Sequence, residues 1–248
     1  MNPTLTQSAR KLRLSGLLQS LEVRLQEARA SNLAHEEFLE LLFQDELNIR
    51  EERLVARRSK QACFRDRRSL EEFDWSFNPS IPKKDIFELA TGEFIRKALD
   101  VLFIGPPGTG KSHLAQAIGM AAIRAGSLVL YRSIFDLVRD LFQNQNLQGD
   151  ARALNAYLKP DLLIIDDMGL KQLPPKSGEY LFEIIMRRYE KRSTLMTSNR
   201  PIEEWGKLIG DVPSATAILD RFLHHARVIP FKGRSYRLNH RSDKHPPS

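Results

Sequence analysis

Residues 105–112 read GPPGTGKS, directly after the apolar run ALDVLFI and directly before HLAQAIGMAAIRAG. That order, a buried strand, a glycine-rich loop and then a helix, constrains the fold more than any other stretch. Gly105, Gly108 and Gly110 permit tight turns and a close backbone approach to an anion, because a residue without Cβ reaches positive φ at no steric cost. Lys111 adds a mobile positive charge and Ser112 a hydroxyl suited to Mg²⁺. The following helix points its positive end at the same place. The spacing matches the phosphate-binding loop in full. Gly105, Pro106, Pro107, Gly108, Thr109, Gly110, Lys111, Ser112 and His113 are therefore the candidate ATP-binding residues.

Downstream, periods alternate. Residues 128–131, 161–166, 193–198 and 227–231 read as short apolar strands, and 133–143, 177–191, 202–209 and 214–224 as helices. With the strand before the loop, this predicts an α/β fold with a parallel five-stranded sheet and helices on both faces. Upstream, Leu14, Leu17, Leu18, Leu21 and Leu25 predict one helix over residues 5–30, ended by Ser31 or Asn32. A second helix is predicted over 35–63, with Glu36 and Glu37 in its first turn. Pro79 and Pro82 then forbid continuous helix. The expected organisation is a small all-α module over residues 1–72, a nucleotide-binding core over 73–240 and a disordered tail over 241–248.

Charge suggests the partner. The chain has 248 residues, with 38 Lys and Arg against 31 Asp and Glu, a net charge of +7. Such a balance suits an anionic partner, nucleic acid first. Arg50, Arg53, Arg57, Arg58, Lys60, Arg65, Arg67 and Arg68 cluster in sequence and are the candidate phosphate contacts, the other reading being a solvated helix face. A single cysteine, Cys63, excludes an intrachain disulfide. No apolar run reaches the ~20 residues of a membrane span, and a cytoplasmic setting is expected. No Cys/His spacing forms a zinc site. Phe73, Trp75 and Phe77 read as an apolar brace between the domains, or as packing near an adenine.

A hydrolytic site also needs a carboxylate for Mg²⁺ and a group that orients water. LLIIDD supplies both acids: Asp166 at the end of an apolar strand, to hold the metal beside Ser112, and Asp167 next to it, toward the γ-phosphate. TLMTSNRP ends its strand on Asn199, an amide able to align water or simply a strand terminator. In ILDRFLHHAR, Arg221 stands on a helix where an arginine finger could reach into a neighbouring subunit, the plainer reading being a surface arginine.

GPPGTGKS, LLIIDDMG, LMTSN and AILDRF, in this order, resemble the AAA+ ATPases of the DnaA/DnaC group, and most closely the IstB-like proteins of insertion-sequence transposition. The resemblance covers residues 8–238 and includes KLIGDVPSATAILDRFLHHARVIPFKGRSYR. It implies an ATP-dependent homo-oligomer that binds and remodels double-stranded DNA and recruits a transposase. By motif, residues 105–112 become the Walker A loop, Asp166 and Asp167 the Walker B acids, Asn199 sensor 1, Arg221 the finger acting in trans, and Arg237 a place to seek sensor 2. Family members commonly carry Asp-Glu at Walker B. Asp167 is one methylene shorter, which implies slow, partner-stimulated hydrolysis. A DnaC-like helicase loader shares the whole nucleotide core and is the alternative reading; a metabolic kinase would leave Asn199 and Arg221 unexplained.

Overall fold

The computed structural model describes residues 3–143, 147–169, 173–209 and 212–236. The chain divides into two compact units, Met1–Arg57 and Arg58–Ser248. Residues 58–72, expected in the helical module, therefore belong with the second unit.

The first unit is helical: α1 (Pro3–Lys11), α2 (Ser15–Ser31) and most of α3 (His35–Gln61). Leu17, Leu21 and Leu42 form its core, with Leu14, Leu18, Leu25 and Phe38 packed around them. The predicted single helix over 5–30 is two helices. The chain turns at Arg13, which adopts φ 56, and the Leu14 N–H closes back on Ala9 O at 2.9 Å. No side chain of the preceding residue caps α2. Glu46 of α3 does so instead, accepting the Gly16 N–H at 2.6 Å and the Leu17 N–H at 3.0 Å, two of the donors that a helix start leaves unpaired. Burial opposes charge on Glu46, but the Leu17 amide, Arg50 and the Gly16 amide outweigh it and hold its carboxyl below the usual carboxylate range. Arg24 and Asp45 join the two helices through paired hydrogen bonds of 2.8 Å. Asn32 ends α2 in the left-handed conformation, as its residue type predicts.

The second unit is built on β1 (Asp100–Ile104), β2 (Val129–Ser133), β3 (Leu162–Met168), β4 (Ser193–Ser198) and β5 (Ala226–Pro230). Their order across the sheet is β2-β3-β4-β1-β5 and every pairing is parallel. The predicted strands are found, β4 with its bounds unchanged and the others with an end displaced by one or two residues. The helices of this unit are α4 (Lys83–Ala90), α5 (Glu93–Arg96), α6 (Lys111–Arg124), α7 (Ile134–Phe142), α8 (Leu147–Leu158), α9 (Ser177–Arg188), α10 (Trp205–Ile209) and α11 (Val212–His224). Val101, Leu102 and Phe103 of β1 and Leu162 to Ile165 of β3 are wholly buried, as central strands covered on both faces require. Each such side chain contributes about 1.5–3 kcal/mol relative to exposure. Ser133 caps α7 by accepting the Asp136 N–H at 3.1 Å.

One basic side chain pins the edge of this core. Arg188, at the end of α9, is buried and donates to Tyr157 O and Pro160 O, both at 2.9 Å, to Thr194 Oγ1 at 3.1 Å and to Ser193 O. It joins α8, α9 and β4 through three backbone carbonyls and one hydroxyl. Helices α4, α5 and α8 lie where the sequence reading placed no element. Arg237 and residues 241–248 lie outside the described residues.

Candidate nucleotide site

The ends of β1, β3 and β4 stand side by side in the sheet, and the carboxyl ends of parallel strands are where ligands of open α/β sheets bind. Here they surround a cavity of about 360 Å³ lined by the loop from Pro107 to His113, by Asp167 and by Asn199. That volume is in the range of small-molecule sites, roughly 300–1,000 Å³.

The loop conformation needs its glycines. Gly105 has φ 153, and a Cβ there would overlap the carbonyl oxygen of Phe231. Gly110 has φ 104, and a Cβ would lie 2.6 Å from the Phe73 ring. The N-terminus of α6 begins at Lys111, so its unpaired N–H groups face the cavity side of the loop. Lys111 is nearly buried, and its Nζ donates to Gly105 O and Pro106 O at 2.7 Å each. Gly105 and Pro106 are thus supports for the lysine and do not line the cavity themselves.

Asp166 is wholly buried at the end of β3. Ser112 Oγ donates to its Oδ1 at 2.9 Å, Thr197 Oγ1 donates to the same oxygen, and the Tyr131 hydroxyl donates to Oδ2. Three hydroxyls fix one carboxylate. Burial and the neighbouring Asp166 push the Tyr131 hydroxyl well above its ordinary pKa, so it remains a donor. A hydroxyl and a carboxylate at this separation are the hard oxygen donors that suit Mg²⁺. The amides and the lysine of the loop suit a polyphosphate, so the residues fit both groups.

Asp167 is shaped differently. The β3/β4 register shifts between Ile165 and Met168, and Asp167 takes φ 65 while its N–H donates to Thr197 Oγ1 at 3.2 Å. This bulge turns the second acid toward the cavity. Its Oδ2 meets Arg65 Nη1 at 2.8 Å. Asn199 follows β4, and its N–H donates to Met168 O at 3.0 Å, which fixes the end of that strand against β3.

The sequence-predicted residues separate into three groups. Residues 107–113, Asp167 and Asn199 line one cavity, with Asp166 directly behind Ser112. Arg221 of α11 is exposed and is not among the lining residues; its guanidinium stands over the Tyr189 ring, 5.6 Å from the centroid. The basic candidates have different partners. Arg50 Nε pairs with Glu46 at 2.6 Å and Arg53 donates to Ser15 Oγ. Arg58 donates to Gly126 O, Arg65 is held by Asp167, and Arg68 lines the cavity and pairs with Asp66 at 3.1 Å. Arg57, Lys60 and Arg67 are exposed. Helix α3 ends at Gln61 and Cys63 takes φ 58, so Arg65, Arg67 and Arg68 follow the helix and are not part of it.

Phe73 and Phe77 also line the cavity. Trp75 does not; it packs on Phe87 of α4 with centroids 5.6 Å apart. Sequence reasoning missed Tyr131 and Thr197, whose signal was a hydroxyl within each strand flanking β3. It also missed that Glu190, distant in sequence, brings a possible ligand atom within 4.8 Å of those of the adjacent His224 and His225.

The profile of the family described as IstB-like ATP binding protein matches residues 7–244. This chain belongs to that family. It is 40% identical over 211 residues to an ATP-binding protein of insertion sequence IS5376 from Geobacillus stearothermophilus, a match covering 85% of this chain and 84% of the relative. It is 37% identical over 228 residues to the corresponding IS21 protein of Pseudomonas aeruginosa, covering 92% and 86%. Among solved structures, the IstB-like chain resembles DnaI, with a TM-score of 0.54 at 22% identity over 68% of this chain and 90% of that one. It also resembles AMPPCP-bound DnaA from Aquifex aeolicus, with a TM-score of 0.57 at 20% identity over 74% and 57%. These likenesses show the AAA+ type of fold. Among the described residues no helix is long and apolar enough to cross a membrane.

Proposed function

We propose that this protein is an ATP-hydrolysing AAA+ helper of DNA transposition, which assembles on double-stranded DNA as a homo-oligomer and recruits and stimulates the transposase of its element. The observation that carries the reading is the separation of its parts. Lys111, Ser112, Asp166, Asp167 and Asn199 meet at one cavity, whereas Arg221 stands exposed elsewhere on the surface. Such a site is complete only when a second copy brings its own arginine, which would make ATP a sensor of assembly.

In this reading the loop amides and Lys111 bind the phosphates, and Ser112 and Asp166 hold Mg²⁺, which when bound neutralises charge on the β and γ phosphates. Asp167 and Asn199 orient the attacking water. Arg221 of one protomer stabilises the charge that develops in the site of the next. The helical N-terminal module and the arginines around the end of α3 contact DNA phosphates, so affinity falls steeply with salt and depends little on base sequence. That the matching relatives are proteins of insertion sequences favours a transposition role over helicase loading.

Imaging of the protein with ATP and duplex DNA, with Arg221→Ala as the control, tests this. A ring or filament on DNA that the substitution disrupts supports the proposal. A monomer that binds ATP and ignores DNA overturns it, and capture of a hexameric helicase in place of DNA establishes the loader reading.

A further inference from the structure

Residues 62–66 form a strap laid along the nucleotide site. Ala62 O accepts the Tyr131 N–H at 2.8 Å, and the Phe64 ring lies 6.0 Å from the Tyr131 ring and against Gly119. The Asp66 N–H donates to Gln116 Oε1 at 3.1 Å, and the Gln116 amide in turn donates to Ser112 O at 3.1 Å. The strap is therefore fastened to β2 and α6 on either side of Arg65. Both anchors also hold the metal-side residues: Tyr131 donates to Asp166, and Ser112 sits one turn before Gln116. Between them Arg65 reaches Asp167 at 2.8 Å, and its own side chain is 49% exposed against 17% for the acid.

We infer that Arg65 is a positioning residue that restrains hydrolysis by holding the Asp167 carboxylate away from the water it must orient. This rests on the reading of Asp167 given above. A carboxylate oxygen bonded to a guanidinium has a lone pair engaged and is a weaker acceptor for a water proton. Asp167 is presented for this contact by its bulge and its left-handed backbone, while Arg65 is fixed by anchors on both sides. The pair is half open to solvent, so its hold is modest. Exposed ion pairs are worth at most about 1 kcal/mol, and release corresponds to about a fivefold change in rate.

The test compares Arg65→Ala, Arg65→Lys and Asp167→Asn with the parent, without DNA. R65A raises kcat for ATP about fivefold with KM changed less than about twofold. R65K, which keeps the charge, stays near the parental rate. In nucleotide-free protein, amide hydrogen exchange across residues 62–68 speeds up in both R65A and D167N, a readout independent of turnover. A kcat for R65A equal to or below the parent's, with D167N inactive, overturns this inference alone. A D167N protein that hydrolyses ATP like the parent overturns the reading of Asp167 as well.

Discussion

Ser112 donates its hydroxyl to Asp166 Oδ1 at 2.9 Å, which ties the first turn of α6 to the end of β3. Tyr131 and Thr197 hold the same carboxylate. Asp166→Asn keeps the shape and removes the charge. Mg²⁺-dependent ATP hydrolysis falls by at least about 100-fold, since the position loses its metal affinity. Tyr131→Phe leaves hydrolysis measurable but costs about 1–2 kcal/mol in urea unfolding, the loss of one buried hydrogen bond to a charged acceptor.

Lys111 is held over the loop by two carbonyl oxygens at 2.7 Å. Lys111→Ala removes the charge while the glycines preserve the loop. ATP affinity drops by roughly 10- to 150-fold, the equivalent of about 1.5–3 kcal/mol for hydrogen bonds to a charged group. Titration of a fluorescent ATP analogue measures it.

Much of the fold and site was legible for a physical reason. Central parallel strands such as β3 are apolar over 162–165 because both faces are covered, and the glycine loop must match a fixed anion geometry. Asp166, Asp167 and Asn199 could be placed because each ends a strand whose period is plain. Helix α8 was missed. So was the break at Arg13, where a non-glycine residue enters the left-handed region because Glu46, distant in sequence, caps the helix that follows. The ion pair of Arg65 with Asp167 was invisible for the same kind of reason: nothing within the run of arginines distinguishes the one that the turn at Cys63 brings to the site.

Glu46 is buried and accepts two backbone amides and Arg50. Glu46→Ala leaves the start of α2 uncapped and destabilises the helical unit by about 2–4 kcal/mol. Urea unfolding followed by far-ultraviolet circular dichroism shows an earlier loss of helix.

Asp100, at the start of β1, is buried and accepts the Thr194 N–H at 2.7 Å, and burial pushes its carboxyl up to about 7 in spite of that amide and of Arg188. A raised native pKa means the folded state retains the proton that the unfolded chain has released. The associated stability is full below about pH 4 and is lost as pH rises toward 7. Asp100→Asn cannot ionise. Between pH 5 and pH 8 the parent therefore loses stability relative to this variant, by about 2.7 kcal/mol for the two pH units below 7, as paired thermal melts would record.

Completion of the nucleotide site by Arg221 of another protomer is tested most directly by mixing two inactive variants. Arg221→Ala has an intact loop and acids but no finger; Asp167→Asn has the finger but no water-orienting acid. With ATP and duplex DNA each variant alone is nearly inactive. An equimolar mixture recovers roughly one quarter of parental hydrolysis, because random head-to-tail pairing makes about one interface in four intact. A mixture no more active than its components, with both variants still binding ATP and assembling, would contradict the account.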